Sequence, residues 1–302
     1  KAIRRQRQMC IRDSDMSLRW MLVGQLKYLN ENGLEVVGVA ANTGLMDQVR
    51  KTEGVRCIDL PMRREIAPVQ DLKSLWGMIK LFRRERPEIV HANTPKGSLL
   101  AMMAAWFCRV PVRVYTVTGL RFETATGMLR TILKAMERVT CRCATAVVPE
   151  GEDVKSMLIR EGICKRPLDK IHNGNINGLD LEHYSLVPMP AADVPITFVF
   201  IGRVTHDKGI DELVEVFDEI CQERHAGNIR LLLVGPLEQE LDPIAPRTLE
   251  IIKRNANIES VGFQNDIRPW VEQSHVVVLP SHRRSVLPRG SSTVLSYIRH
   301  RK

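Results

Sequence analysis

The sequence predicts an α/β protein built from two doubly wound parallel-sheet domains in series, and three observations predict it. From Ser17 onward, short apolar runs alternate with segments of helical period, the pattern of a parallel sheet covered by helices on both faces. Residues 171–195, rich in Asn, Gly and Pro, break the alternation once, after which it restarts. At 302 residues the chain exceeds the usual single-domain size, so two domains are the default.

The elements follow in order. Leu18, Met21, Leu22, Leu26 and Leu29 give one amphipathic helix that stops at Asn32 and Gly33, and LEVVGVA follows as a strand. A helix over 45–51 leads to the strand CIDL; a helix over 71–86 is closed by Pro87 and leads to IVHA. Then come a helix over 97–108, the strand VRVYTV, a helix over 126–140, the strand TAVVP and a helix over 151–161. After the break, the second series reads strand 196–201, helix 209–223, strand RLLLVG, helix 246–255, a short SVGF, helix 266–273 and strand VVVLP.

Both ends depart from this pattern. Residues 1–15 have neither period and contain MCIRDS, which resembles a translated sequencing adaptor, so they are expected to be non-native or disordered and outside the fold. A doubly wound domain normally opens on a strand, and the first strand is accordingly expected to be missing. Residues 281–302 are basic and without apolar period, and the second domain is expected to lack its C-terminal part. The expected organisation is an N-terminal domain over 16–170, a linker over 171–195, an incomplete domain over 196–280 and an aberrant basic tail over 281–302.

Composition narrows the function classes. A content of 44% hydrophobic and 26% charged residues describes a globular protein with apolar mass for two cores. The net charge of +9 is unevenly spread: residues 21–180 carry +7 and residues 181–280 carry −8, with the remainder at the ends. A basic first domain beside an acidic second one suits an anionic membrane surface better than a nucleic-acid groove, and a solvated imbalance without a partner is the other reading. Seven cysteines without a CxxC pair make neither a disulfide framework nor a metal site. No run approaches the roughly 20 apolar residues that span a bilayer. The chain is expected to be cytoplasmic, with reduced thiols.

The most informative stretch is FVFIGRVTHDKGIDELVEVF at 198–217. Phe198 to Ile201 read as a strand buried on both faces, and apolar residues from Ile210 recur with helical period. Gly202 lets the backbone turn closely, and Arg203 and Lys208 stand where strand passes into helix. Ligands in open α/β sheets bind at the carboxyl ends of strands, and helix N-termini favour anions, so two cations there suit a phosphate or diphosphate. The alternative is a solvated loop with ordinary charges. Gly235, at the end of LLLVG, is either a close-approach position for a nucleotide or a plain turn glycine. In the first domain, His91, Asn93, Thr94 and Lys96 lie at the end of IVHA before a helix, a second candidate anion site suited to an acceptor's phosphate or hydroxyls. For His91 the reading as a core or strand-end histidine bonded to the backbone comes first, and Lys96 reads equally as a solvated helix-start cation.

Two serial α/β domains together with PMRREIAPVQDL, HANTPKGSLL, VPVRVYTVTGLRFETATG, IHNGNINGLD, FIGRVTHDKGI, LLLVGP and VGFQNDIRPWV resemble the bacterial family 4 glycosyltransferases of the GT-B fold, which has two Rossmann-like domains. Within that family the chain resembles the capsular and exopolysaccharide branch, over residues 17–280. The resemblance implies transfer of a sugar, with retention, from a nucleotide-sugar donor (a UDP-sugar) to a lipid-linked polyprenyl diphosphate acceptor, by a peripheral enzyme at the inner membrane face. It implies that Gly202, Arg203, Lys208 and Gly235 hold the donor diphosphate, with no metal and no other cofactor, and that no nucleic acid is bound. On the acceptor side it implies His91, Asn93, Thr94, Lys96 and Arg121.

Two departures stand out. Many relatives carry a His where this chain has Thr118, which leaves the catalytic residue unknown and Thr118 and Glu123 as weak substitutes. Relatives follow their LPS strand with a loop of the form REG-[FL]-P, whereas here Arg284 and Ser285 stand in place of the Glu and Gly. That departure leads to the expectation that this chain transfers sugar poorly, and it keeps open a non-catalytic fragment or pseudoenzyme that binds only acceptor or membrane.

Overall fold

The computed structural model describes residues 6–63, 67–168, 170, 171, 188, 190, 191, 195–223, 228–240 and 242–282. The chain divides into two compact units, Lys1–Gly178 and Leu179–Lys302.

The first unit is a six-stranded parallel sheet in the order β3-β2-β1-β4-β5-β6. Its strands are β1 (Arg7–Ser14), β2 (Glu35–Ala41), β3 (Arg56–Asp59), β4 (Ile89–Ala92), β5 (Val112–Val117) and β6 (Ala146–Pro149). The helices are α1 (Asp15–Met21), α2 (Gln25–Glu31), α3 (Met46–Glu53), α4 (Pro68–Glu85), α5 (Pro95–Phe107), α6 (Gly127–Cys143) and α7 (Glu152–Arg160). Met9 and Ile11 face one core with Val37, Val39, Val90 and Phe82. Cys10, between them, faces the other core with Leu18, Leu22, Leu26 and Val49. Successive strand residues point to opposite faces, which is how one strand joins both cores.

This corrects the reading of residues 1–15 as lying outside the fold, and the first strand is not missing. Residues 7–14 form the central strand, paired through Cys10 with Gly38 of β2 and with His91 of β4. Its apolar triplet MCI is short because polar Gln8 and charged Arg12 bracket it. Arg7 closes one end of the strand on Glu35 at 2.7 Å and Glu85 at 3.4 Å, while Arg12 at the other end is fully buried. The single helix expected over 18–31 is two, because Gly24 adopts a left-handed conformation (φ 74°) between α1 and α2. Residues 1–5 and 283–302, and nearly all of the linker with IHNGNINGLD, lie outside the described residues.

The second unit is a four-stranded parallel sheet, order β10-β7-β8-β9. Its elements are β7 (Ile196–Ile201), α8 (Ile210–Gln222), β8 (Ile229–Val234), α9 (Pro246–Arg254), β9 (Ile258–Gly262), α10 (Arg268–Glu272) and β10 (Val276–Val277). Phe200, Val214, Phe217, Leu231, Leu233 and Ile251 pack on one face; Val199, Ile201, Leu232, Val234 and Val271 pack on the other. The continuous apolar run of β7 is what burial on both faces requires. Asp218, buried on α8, ties that helix to α9 by accepting hydrogen bonds from Arg254 at 2.5 Å and Asn255 at 2.9 Å.

One buried carboxyl marks the first core. The Tyr115 hydroxyl donates to Glu137 Oε2 at 2.7 Å. Burial pushes the Glu137 carboxyl up to about 7, against the opposing effect of that hydrogen bond.

Ile11→Ala should cost about 2–5 kcal/mol, as cavity-forming truncations do, and lower the urea midpoint; an unchanged midpoint would return residues 7–14 to a surface tail. A carboxyl whose folded pKa is raised gives stability that is complete below its unfolded value and lost as pH rises through the folded one. Stability should therefore decline as pH rises from about 4.5 to about 7 and level off above that, and Glu137→Gln should flatten that decline in urea titrations run at a series of pH values.

Candidate functional site

In both sheets the strand order reverses beside the first strand of the unit, between β1 and β4 and between β7 and β10. At such a reversal the flanking crossovers leave on opposite faces and open a crevice beyond the strand ends.

In the second unit the backbone closes tightly around this point. A Cβ on Gly235 would lie 1.8 Å from the Gly202 carbonyl oxygen, and Gly235 itself has φ 150°, so only glycine fits there. The loops after β7 and β8 continue side by side, with the Val204 N–H donating to Pro236 O at 2.9 Å. Gly209, left-handed at φ 69°, would place a Cβ 2.3 Å from Pro280 O, just past β10. The His282 N–H donates to Asp207 O at 3.2 Å. The loop 202–209 is thus fixed between its two neighbours, a single turn His206–Lys208 before the start of α8.

Its charges are arranged around that turn. Arg203, with 43% of its side chain exposed, pairs with Glu238 at 2.7 Å and Asp207 at 3.8 Å. Asp207 accepts from Thr205 Oγ1 at 2.6 Å, and its N–H donates to Asp242 at 2.8 Å. Burial raises the Asp242 carboxyl. Lys208 ends the turn, half-buried, its N–H donating to Thr205 O at 3.2 Å. His206 Nδ1 lies 2.7 Å from Asp211 Oδ2, a hydrogen bond that raises the imidazole pKa. Two cations on a glycine-fixed loop before a helix of 13 residues can hold an anionic group.

In the first unit, β4 runs into α5 at Thr94, whose side chain makes no capping hydrogen bond. Asn93 Nδ2, Thr94 Oγ1 and Ser98 Oγ are buried with no hydrogen-bond partner among the described residues. Unsatisfied buried polar atoms are uncommon, and three clustered at one helix start suit a polar ligand. The Lys96 ammonium pairs with Asp71 of α4 at 2.5 Å and is largely buried. Lys96 and Arg121 line one small cavity with Phe122 and Glu137. Thr118 Oγ1 donates to Asn93 O at 3.1 Å. Glu123, half-buried, ends the turn Arg121–Glu123. His91 stands apart on the strand body, its Nε2 2.8 Å from Thr116 Oγ1. Burial, and then the Arg12 charge, pull His91 down to about 4, so it is neutral at neutral pH.

The structure therefore brings Asn93 and Thr118 together, and Lys96 and Arg121 around one cavity. It also adds residues that the sequence reading missed: Asp71, Asp207, Glu238 and Glu137. Glu238, three residues past Gly235, had a positional signal; Asp71 and Glu137 had none, since their partners are distant in sequence. Residues 284 and 285 lie outside the described residues. Among the described residues no group of three or more His, Cys, Asp or Glu is disposed to hold a metal ion, and no helix is long and apolar enough to cross a membrane.

Comparison with known proteins gives the chain its context. A glycosyl transferase 4-like domain matches residues 19–174 and a glycosyl transferases group 1 domain matches 195–295. The chain is 31% identical over 271 residues to the capsular polysaccharide biosynthesis glycosyltransferase CapM of Staphylococcus aureus, covering 87% of this chain and 70% of that protein. It is 27% identical to the Escherichia coli UDP-Gal:alpha-D-GlcNAc-diphosphoundecaprenol alpha-1,3-galactosyltransferase, covering 76% of this chain and 61% of that one. Among solved structures, Anabaena HepE in complex with UDP-glucose superposes with a TM-score of 0.74 at 15% identity, over 97% of this chain and 79% of that one. Two serial parallel α/β units with these matches make the chain a glycosyltransferase of the GT-B fold, and it belongs to family 4, in the capsular polysaccharide branch.

Proposed function

We propose that the protein transfers a hexosyl group from a UDP-sugar to a lipid-linked diphosphate acceptor in surface polysaccharide synthesis, working peripherally at the cytoplasmic membrane face. The observation that carries the donor half is the close backbone approach of Gly235 to Gly202 beside Arg203, at the strand reversal of the second unit. A diphosphate seated there meets the N-terminus of α8, and Arg203 exchanges its carboxylate partners for phosphate oxygens. Lys208 adds a second charge. As the glycosidic bond breaks, negative charge grows on the departing nucleoside diphosphate, and fixed cations stabilise it where a metal ion otherwise would.

The acceptor half rests on the first unit. The unpartnered Asn93, Thr94 and Ser98 groups with Lys96 and Arg121 are suited to hydroxyls and a diphosphate at the start of α5. The choice of substrates is supported by relatives: the E. coli relative is named for UDP-Gal and a diphosphoundecaprenol acceptor, and HepE was solved with UDP-glucose. Thr118, which donates to Asn93 O, and Glu123 are kept as the candidates for the catalytic role.

Arg203→Ala and Lys208→Ala should each weaken UDP binding about tenfold or more, in keeping with about 1.5–3 kcal/mol for a charge-assisted hydrogen bond. Isothermal titration of the full chain reads this directly, and EDTA should leave the affinity unchanged. Equal affinities in the wild type and both variants would remove the diphosphate assignment.

A further inference from the structure

A cavity of about 130 Å³ opens between the end of α6 and the segment that follows α7. One water needs about 10–15 Å³ by the same measure, so the cavity admits a group of several heavy atoms. Its lining holds four cations, Arg138, Arg142, Lys165 and Arg166, and two buried thiols, Cys141 and Cys164, but no carboxylate. None of these residues lines the cavity at Lys96. Backbone carbonyls hold two of the guanidiniums. Arg138 donates from Nη2 to Glu161 O at 3.2 Å and from Nε to Gly162 O at 3.4 Å, just past α7. Arg166 donates from Nη2 to Arg142 O at 3.4 Å and from Nη1 to Ala144 O, at the end of α6. A guanidinium has five N–H groups, so each keeps donors that these bonds do not use. Arg142 and Lys165 are exposed.

Cations near helix C-termini are ordinary, because the last carbonyls carry about half a negative charge. Two such ends offset about one of the four charges here, and Cys143 O, at the end of α6, is already taken by Arg113 Nε at 2.6 Å. Glu161 does not supply the rest, since its carboxylate pairs with Arg130 at 3.0 Å and with Lys134. Burial pushes the Cys141 thiol far up, so it stays neutral and adds no negative charge. Among the described residues none of the four cations pairs with a carboxylate. We infer that this cavity binds a free phosphoanion, a phosphate or diphosphate, between the two fixed guanidiniums. Forked N–H donors match the oxygens of such a group, and Arg142 and Lys165 add charge at the rim. The place is separate from both strand reversals. Helix α6 ends and β6 begins there, at the amino ends of the strands, whereas Asn93, Thr94 and Lys96 follow the carboxyl end of β4. The inference does not rest on the proposed sugar transfer.

Calorimetric titration of pyrophosphate into the full chain saturated with UDP tests it, the nucleotide keeping the proposed donor loop occupied. Pyrophosphate should bind, and Arg142→Ser with Lys165→Ser should weaken that binding about tenfold or more. Hydrogen–deuterium exchange should show pyrophosphate slowing residues 162–166 in the wild type and not in the variant, which distinguishes this cavity from the acceptor residues. The variant should keep the wild-type urea midpoint in phosphate-free buffer and the wild-type UDP affinity, so a failed donor assignment leaves this test standing. Absence of pyrophosphate binding, or equal binding in wild type and variant, would overturn the proposal. So would protection of residues 162–166 by dihexanoyl phosphatidic acid in place of pyrophosphate, since the cavity would then take a lipid headgroup.

Discussion

Parallel strand pairing is the constraint from which the rest of this molecule follows. A strand laid parallel to its predecessor can be reached only by a crossover across a face of the sheet, so all carboxyl ends collect at one edge. When the order reverses, at β1/β4 and at β7/β10, neighbouring crossovers leave on opposite faces and the edge opens there. Both clusters of chemistry-bearing residues stand at these openings. Gly202, Arg203 and Lys208 follow β7, with Pro280 and His282 beyond β10 beside them. Asn93, Thr94 and Lys96 follow β4, beside the end of β1.

Within the openings, charge is handled differently in the two units. Around loop 202–209 the cations are balanced by nearby acids, Glu238 and Asp207 on Arg203 and Asp211 on His206. A diphosphate bound there, as proposed, would replace one anionic partner by another, and a guanidinium already oriented would lose little freedom on binding. At the start of α5 the polar groups are instead buried and unsatisfied, with Lys96 set on Asp71. A ligand bound there, as proposed, would add hydrogen bonds rather than exchange them.

Much of this was legible in the sequence, for physical reasons that also explain the failures. Strands buried on both faces, such as ITFVFI and IRLLLV, stand out because they cannot alternate. Strand β1 did not, because only Met9, Cys10 and Ile11 are apolar, between polar Gln8 and charged Arg12; its place is settled by pairing to β2 and β4, which is long-range. The break at Gly24 was hidden because α1 and α2 share one apolar stripe across it. The strand–loop–helix passage around Arg203 could be read locally, but the partners that orient Arg203 could not, since Glu238 lies 35 residues away. The Tyr115–Glu137 bond was equally invisible, its two ends joined only by the packing of α6 on the sheet.

The central claim is that a nucleoside diphosphate binds at the strand reversal of the second unit, against backbone that only glycine permits. Hydrogen–deuterium exchange of the full chain with and without UDP tests it most directly, because it reports on those backbone amides. The account predicts slowed exchange at residues 202–210 and 235–238, with the body of the first unit unaffected. Protection confined to the first unit, or none at saturating UDP, would contradict it.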